Sequence, residues 1–209
     1  MLRSLFCSLA LSVALASTLP AMTAAVEHPG SVPILLGLDK VRTELKLDSL
    51  QRAVLDSIRS EYKSSARKLV PAAGATQDQR AAAEKSLLLL NDRYNKRALS
   101  VLNDRQRERF AEIELQVLGA SAVYVPSVQG KLSLTAKQKQ QIEAIRLAGL
   151  SYVGKINHQF EDGKIGYYDR MKLLHDRRMS LGVSLMKILT PEQRAALLTL
   201  EGKIFSFQV

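Results

Sequence analysis

Met171, His175 and Met179 recur every four residues, so on a helix their thioether and imidazole groups stand one above another. Such a set suits a soft cation such as Cu(I) or Ag(I), and Met186 falls two turns on, nearly on the same face. The competing reading is packing. Methionine fills irregular gaps in cores, and these positions flank an apolar stripe of Leu174, Leu181 and Leu185. No metal and no cofactor is therefore expected. His28 and His158 form no HxxxH or CxxC pattern, which leaves zinc without a ligand set.

Catalysis finds less support still. There is no Gly-rich phosphate loop, no nucleophile elbow and no Cys/His pair, and the three histidines lie in three different segments. Glu61 and Asp162 occur among charged surface runs with nothing to single out an acid of raised pKa. The chain is not expected to be an enzyme.

Charge is the stronger signal. The 209 residues carry 30 Lys and Arg against 20 Asp and Glu, a formal net charge of +10. Residues 1–25 have the form of a secretory signal peptide: Arg3, an apolar stretch from Leu5 to Ala16, and the small residues Thr23, Ala24 and Ala25 at a cleavage site. Cleavage after Ala16 is the alternative. The only cysteine, Cys7, leaves with this leader, so the mature chain has neither a disulfide framework nor a thiolate nucleophile. No later stretch reaches the roughly 18 apolar residues that span a bilayer, and an exported protein of the bacterial periplasm is expected. Without Trp, a stacking-aromatic motif or a zinc signature, an exported basic chain is a poor nucleic-acid binder. Acidic segments of other proteins, or the anionic envelope surface, fit the charge better.

These side chains need elements to hold them, and four short stretches announce helix starts. They are LDSLQRAVLDSI from Leu47, LNDRQRERFAEI from Leu102, LTAKQKQQIEAI from Leu134 and LTPEQRAALLTL from Leu189. In the last two, Thr135 and Thr190 are N-caps and Gln138 and Gln193 close capping boxes; Pro191 fits the first helical position. Asp48 with Gln51, and Asn103 with Gln106, keep the same capping chemistry. Read as caps alone, Thr190 and Gln193 contribute at most about 1 kcal/mol each.

The four leucines are separated by 55, 32 and 55 residues, so the first and third motifs, like the second and fourth, stand 87 apart. The register also holds outside the motifs, with Val41 on Val128, Leu45 on Leu132 and Arg59 on Arg146. The pattern reads as a tandem duplication, with a first helical unit over 26–120 and a second over 121–209, joined at GASAVYVPS. In each unit a first long helix follows the cap. The expected inward stripes are Leu50, Val54, Ile58, Tyr62, Ala66 and Leu69, and Ile142, Ile145, Gly149, Tyr152, Ile156 and Phe160. PAAGATQ and EDGKIG break these helices, and second helices follow over about 77–101 and 166–188. Along the latter, Arg177 is the one charged residue in the stripe Leu174, Arg177, Leu181, Leu185 and Ile188. No alternating strand pattern occurs, so the fold class is all-α.

The residues LTAKQ and LTPEQ, in an exported, basic, helical chain, resemble the LTxxQ motifs of the Spy/CpxP-like family of periplasmic proteins. The resemblance covers both units, although Asp48 and Asn103 replace the threonine in the first. It implies two Spy-like units of long antiparallel helices bent at the motifs, forming a curved cradle. Because family members pair as dimers of two-motif chains, it also implies that this chain is a pseudo-dimer, as a monomer or a homodimer. The implied function is that of an ATP-independent chaperone holding unfolded or partly folded envelope proteins. The alternative is an adaptor that regulates an envelope-stress or metal-stress sensor through an acidic sensor domain. A soft-metal binder is the third reading.

A chaperone surface of this kind attracts unfolded chains by charge and holds them by modest apolar contact. The candidate residues are Arg93, Lys96, Arg97, Arg105, Arg107 and Arg109 in the first unit and Lys172, Arg177 and Arg178 in the second. The plainer reading of each is a solvated helix face balanced by Glu and Asp neighbours.

Overall fold

The computed structural model describes residues 32–72 and 74–206. The expected leader, with Arg3 and Cys7, and His28 lie outside the described residues. Every regular element described is helical, in accord with the all-α reading. In order they are α1 (Val32–Leu35), α2 (Asp39–Glu44), α3 (Ser49–Arg67), α4 (Gln77–Ser100), α5 (Asp104–Leu118), a 3₁₀ turn (Gly119–Tyr124), α6 (Pro126–Lys131), α7 (Ala136–Glu161), α8 (Tyr167–Ile188) and α9 (Pro191–Leu200). None of the described helices is long and apolar enough to cross a membrane.

The described residues form two compact units, 32–119 with 195–206 and 120–194. The dividing line passes through α9, so these units and the 87-residue repeats are different partitions of the chain.

In the unit of 32–119 with 195–206, α1 lies against α3 and α4. The core gathers Val32, Leu36, Val41, Leu55, Ile58, Tyr62, Tyr94, Ala98, Phe110 and Ile113. Arg42 is buried, but its charge is matched: its Nε–H donates to the Leu36 carbonyl at 2.8 Å and its two terminal nitrogens to Asp56 at 3.1 and 2.5 Å. The C-terminal stretch joins this unit through main-chain groups. Gln116 Nε2 donates to the carbonyls of Glu201 and Lys203 at 2.6 and 2.8 Å, and its Oε1 accepts from the Phe205 N–H at 2.8 Å. Phe205 then completes the core.

One expected stripe is wrong at its start, although Ile58 and Tyr62 are buried as expected. Leu50 is 73% exposed and Val54 40%, whereas Leu55, outside the expected stripe, is 1% exposed. Two helical rows run into Ile58 and Tyr62, one through Leu50 and Val54 and one through Leu55, and periodicity ranks them alike. Packing decides between them, because the core formed with Leu36 and Val41 includes Leu55.

In 120–194, α7 and α8 form a helical hairpin. Ile142, Gly149 and Ile156 are buried at seven-residue steps along α7, a coiled-coil-like seam, with Leu185 buried on α8. A Cβ at Gly149 would stand 3.0 Å from Leu181 Cδ1, so the glycine permits close approach of the two helices. Phe160, expected on this inward stripe, is instead 37% exposed. Here α7 has 26 residues where α3 has 19, and the connection to the next helix is correspondingly shorter, 162–166 against 68–76. The register of 87 is thus restored before the next motif.

Candidate functional site

All four motifs cap helices. The backbone N–H groups of Gln51, Gln106, Gln138 and Gln193 donate to Asp48, Asn103, Thr135 and Thr190 at 2.8, 3.0, 3.2 and 3.2 Å. Each glutamine Oε1 in turn accepts the N–H of its cap residue at 3.0 to 3.2 Å. The leading Leu47, Leu102, Leu134 and Leu189 are all buried and anchor the caps to their cores. A fifth capping box, Thr76 with Gln79, opens α4.

The glutamines do more than close boxes. Gln51 Nε2 donates to Gln106 Oε1 at 2.8 Å and Gln106 Nε2 donates back to Gln51 Oε1 at 3.1 Å. Their remaining hydrogens reach the Val101 carbonyl at 2.9 Å and the Leu45 carbonyl at 3.2 Å. Each amide therefore fills both donor and both acceptor positions. Gln138 and Gln193 form the same reciprocal pair at 2.6 and 3.2 Å, with donations to the Ile188 and Leu132 carbonyls at 3.0 and 3.2 Å. Every partner in the second pair stands 87 residues after its partner in the first.

The correspondence extends further. Arg107 donates to the carbonyls of Leu99 and Leu102, and Arg194 to those of Met186 and Leu189. Lys46 and Ser133, which precede the first and third motif leucines, share a left-handed backbone, φ 50° and 49°. One motif in each pair starts a first long helix, and the other starts the helix after the second; the amide pair fastens these distant starts together.

The structure divides the nine basic candidates. Arg97 pairs with Glu61 across α3 and α4 at 2.8 Å, and that hydrogen bond holds the Glu61 carboxyl below the usual range. Arg97 and Arg93 also lie over the ring of the buried Tyr94, 5.1 and 5.6 Å from its centroid. Lys96 pairs with Asp92 at 2.9 Å. Arg107 serves the α4 terminus and pairs with Asp104. Arg109 is structural: it meets Glu44 at 2.7 Å, Glu112 at 2.5 Å and the Lys203 carbonyl at 2.8 Å, with its side chain 17% exposed. Arg93, Arg105, Lys172 and Arg178 are exposed. Arg177 is half-buried, its guanidinium 5.2 Å from the Tyr152 ring centroid.

Exposed apolar side chains stand beside the basic ones, and the expected binding residues did not include them. On α4, Lys85, Leu89, Arg93 and Lys96 share an exposed face; on α8, Tyr168, Lys172, His175, Met179 and Val183 do. Leu89, Tyr168, Met179 and Val183 are each more than half exposed. On the α3–α4 side, Val54, Ser57, Ile58, Arg97, Ser100 and Val101 line a shallow groove of about 350 Å³ beside exposed Leu50. A second hollow, lined by Gln116, Leu198, Glu201, Ile204 and Phe205, contains a carboxyl that burial pushes up, that of Glu201.

Of the soft-ligand set, Met171 is half-buried while His175 and Met179 are exposed on α8. His158 faces Asp162 at 3.6 Å, and Asp162 is drawn below its ordinary pKa chiefly by Lys164 at 2.8 Å. Among the described residues no group of three or more His, Cys, Asp and Glu is placed to hold a metal ion. Comparison with protein-family models, with curated proteins and with solved structures finds no match.

Proposed function

We propose that this chain is an exported, ATP-independent chaperone-like protein that binds unfolded or partly folded polypeptides, a tandem-duplicated member of the Spy/CpxP-like LTxxQ class acting in the periplasm. The observation that carries the reading is the alternation of exposed basic and apolar side chains along α4 and α8. Each such face attracts an acidic or mixed unfolded chain at long range and holds it through small apolar contacts that a folded protein does not offer. The duplication is supported by the two reciprocal glutamine pairs, whose hydrogen bonds correspond partner by partner at a spacing of 87 residues.

In this reading one chain carries both halves of a pseudo-dimer. Sedimentation at low concentration gives a monomer if that is correct, and an obligate dimer if it is not. The alternative is an adaptor that binds one acidic sensor domain, since the same basic face serves either partner. Light scattering of an unrelated aggregation-prone protein, diluted from denaturant with an equimolar amount of this chain and no ATP, separates them. The chaperone reading requires suppressed scattering. Unchanged scattering, with a single envelope protein co-purifying, favours the adaptor.

A further inference from the structure

The hollow beside the end of α9 lies wholly within the unit of 32–119 with 195–206. Its volume of about 530 Å³ falls in the range of roughly 300–1,000 Å³ typical of small-molecule sites. Leu198, Ile204 and Phe205 give it apolar walls, and Leu198 and Ile204 are 66% and 86% exposed. Packing does not call for a leucine at 198, because the matching residue 87 earlier is Ala111, exposed like Leu198. The space beside Gly119 is open: a Cβ there would meet no atom within 4 Å.

Two polar side chains line this hollow, and only one is free to meet a ligand. Gln116 is fully used, since both Nε2 hydrogens go to the carbonyls of Glu201 and Lys203 and its Oε1 takes the Phe205 N–H. Glu201 is half-buried, and its side chain makes no hydrogen bond or ion pair among the described residues. Arg109, which donates to the neighbouring Lys203 carbonyl, spends its charge on Glu44 and Glu112. Burial pushes the Glu201 carboxyl up, the cost of holding a carboxylate against apolar surface without a partner. A cation brought into the hollow would offset that cost.

We propose that this hollow binds a small alkylammonium ion, its ammonium donating to the Glu201 carboxylate and its alkyl chain lying against Leu198, Ile204 and Phe205. An ammonium is a compact charge whose N–H groups make strong hydrogen bonds to a carboxylate, and an alkyl chain gains from leaving water. The chain as a whole carries a net charge of +10, so its long-range field repels cations, and any binding comes from contacts within the hollow. The site is independent of the chaperone reading, which rests on α4 and α8.

The test is a titration of the full chain with hexylammonium, beside its neutral twin hexan-1-ol, followed by the amide NMR shifts of Gly119 and Gly202. The parent binds hexylammonium about fivefold more tightly than hexan-1-ol, the ratio expected of one partly screened ion pair. Glu201→Gln abolishes that preference without lowering the melting temperature, because no partner of the carboxylate is lost. Glu108→Gln, which removes an exposed carboxyl of α5 outside the hollow, leaves the preference intact. Ile204→Ser weakens both ligands and preserves their ratio. Equal affinity for the two ligands in the parent, or an unchanged preference in a folded Glu201→Gln, overturns the proposal. Tighter binding of N-acetyl-lysine methylamide than of hexylammonium gives the site to lysine side chains of polypeptides and overturns its assignment to a small molecule. A parent chain that shows the preference yet fails to suppress aggregation removes the chaperone reading and leaves this site standing.

Discussion

Replacing Gln193 separates a helix cap from a tertiary fastening. As a cap alone, Gln193 contributes about 1 kcal/mol or less by accepting the Thr190 N–H. It also donates to the Leu132 carbonyl and exchanges two hydrogen bonds with Gln138, all part-buried. At about 1 kcal/mol for each net hydrogen bond, discounted for partial hydration, Gln193→Ala is expected to cost about 2–3 kcal/mol. Thr190→Ala, which removes only the cap acceptor, costs about 1 kcal/mol. The decisive variant is Gln193→Glu. Its carboxylate still accepts from Thr190 and suits the start of α9, so a pure cap is unharmed or slightly stabilised. Having no N–H to give, it faces the Leu132 carbonyl and Gln138 Oε1 without a donor, and a loss of about 1–2 kcal/mol is expected. Urea unfolding followed by far-UV circular dichroism measures all three, and the Gln138→Ala/Gln193→Ala cycle should show coupling of about 1 kcal/mol. A Gln193→Glu chain as stable as the parent, or more so, refutes the fastening role.

Other outcomes follow from the same packing. Leu55→Ala should cost about 2–5 kcal/mol in urea unfolding, and Leu50→Ala almost nothing, because only the first is buried. Gly202→Ala should lower the melting temperature and speed amide exchange in α5, since its φ of 64° is left-handed and a Cβ would lie 2.2 Å from Glu112 Cδ. Acidification should destabilise the chain. The carboxyls of Asp56 and Glu143 are held below their ordinary pKa, chiefly by hydrogen bonds from Arg42 and Arg146. Their contribution is present above the ordinary carboxylate range and is lost as pH falls through and below it. Asp56→Asn should make the melting temperature less sensitive to acid, as scanning calorimetry across that range will show.

What the sequence discloses depends on the distance over which each interaction acts. A capping box joins residues three apart, so Thr135 with Gln138 can be read from the chain. The amide pair of Gln138 with Gln193 spans 55 residues, and no local rule marks it. Leu50 and Leu55 illustrate a different limit: both lie on plausible helical faces, and the residues packed against α3 choose between them. The C-terminal stretch joins 32–119 largely through the main-chain carbonyls of Glu201 and Lys203 and the N–H of Phe205, groups that every residue type provides. Arg177 is visible as a charge within an apolar stripe, but the Tyr152 ring against its guanidinium emerges only when α7 and α8 are folded together. Among the basic candidates, Arg109 and Arg107 look like their neighbours in sequence; nearby acids and helix-end carbonyls give them structural roles.

The proposed binding faces of α4 and α8 are tested most directly by titrating a permanently unfolded acidic polypeptide into the chain without ATP over a series of salt concentrations. Binding should be tightest at low salt, weaken as the charges are screened and persist in part at high salt, where contacts to Leu89 on α4, or to Met179 and Val183 on α8, remain. Absence of binding even at low salt, or equal affinity for the folded form of the same polypeptide, would contradict it.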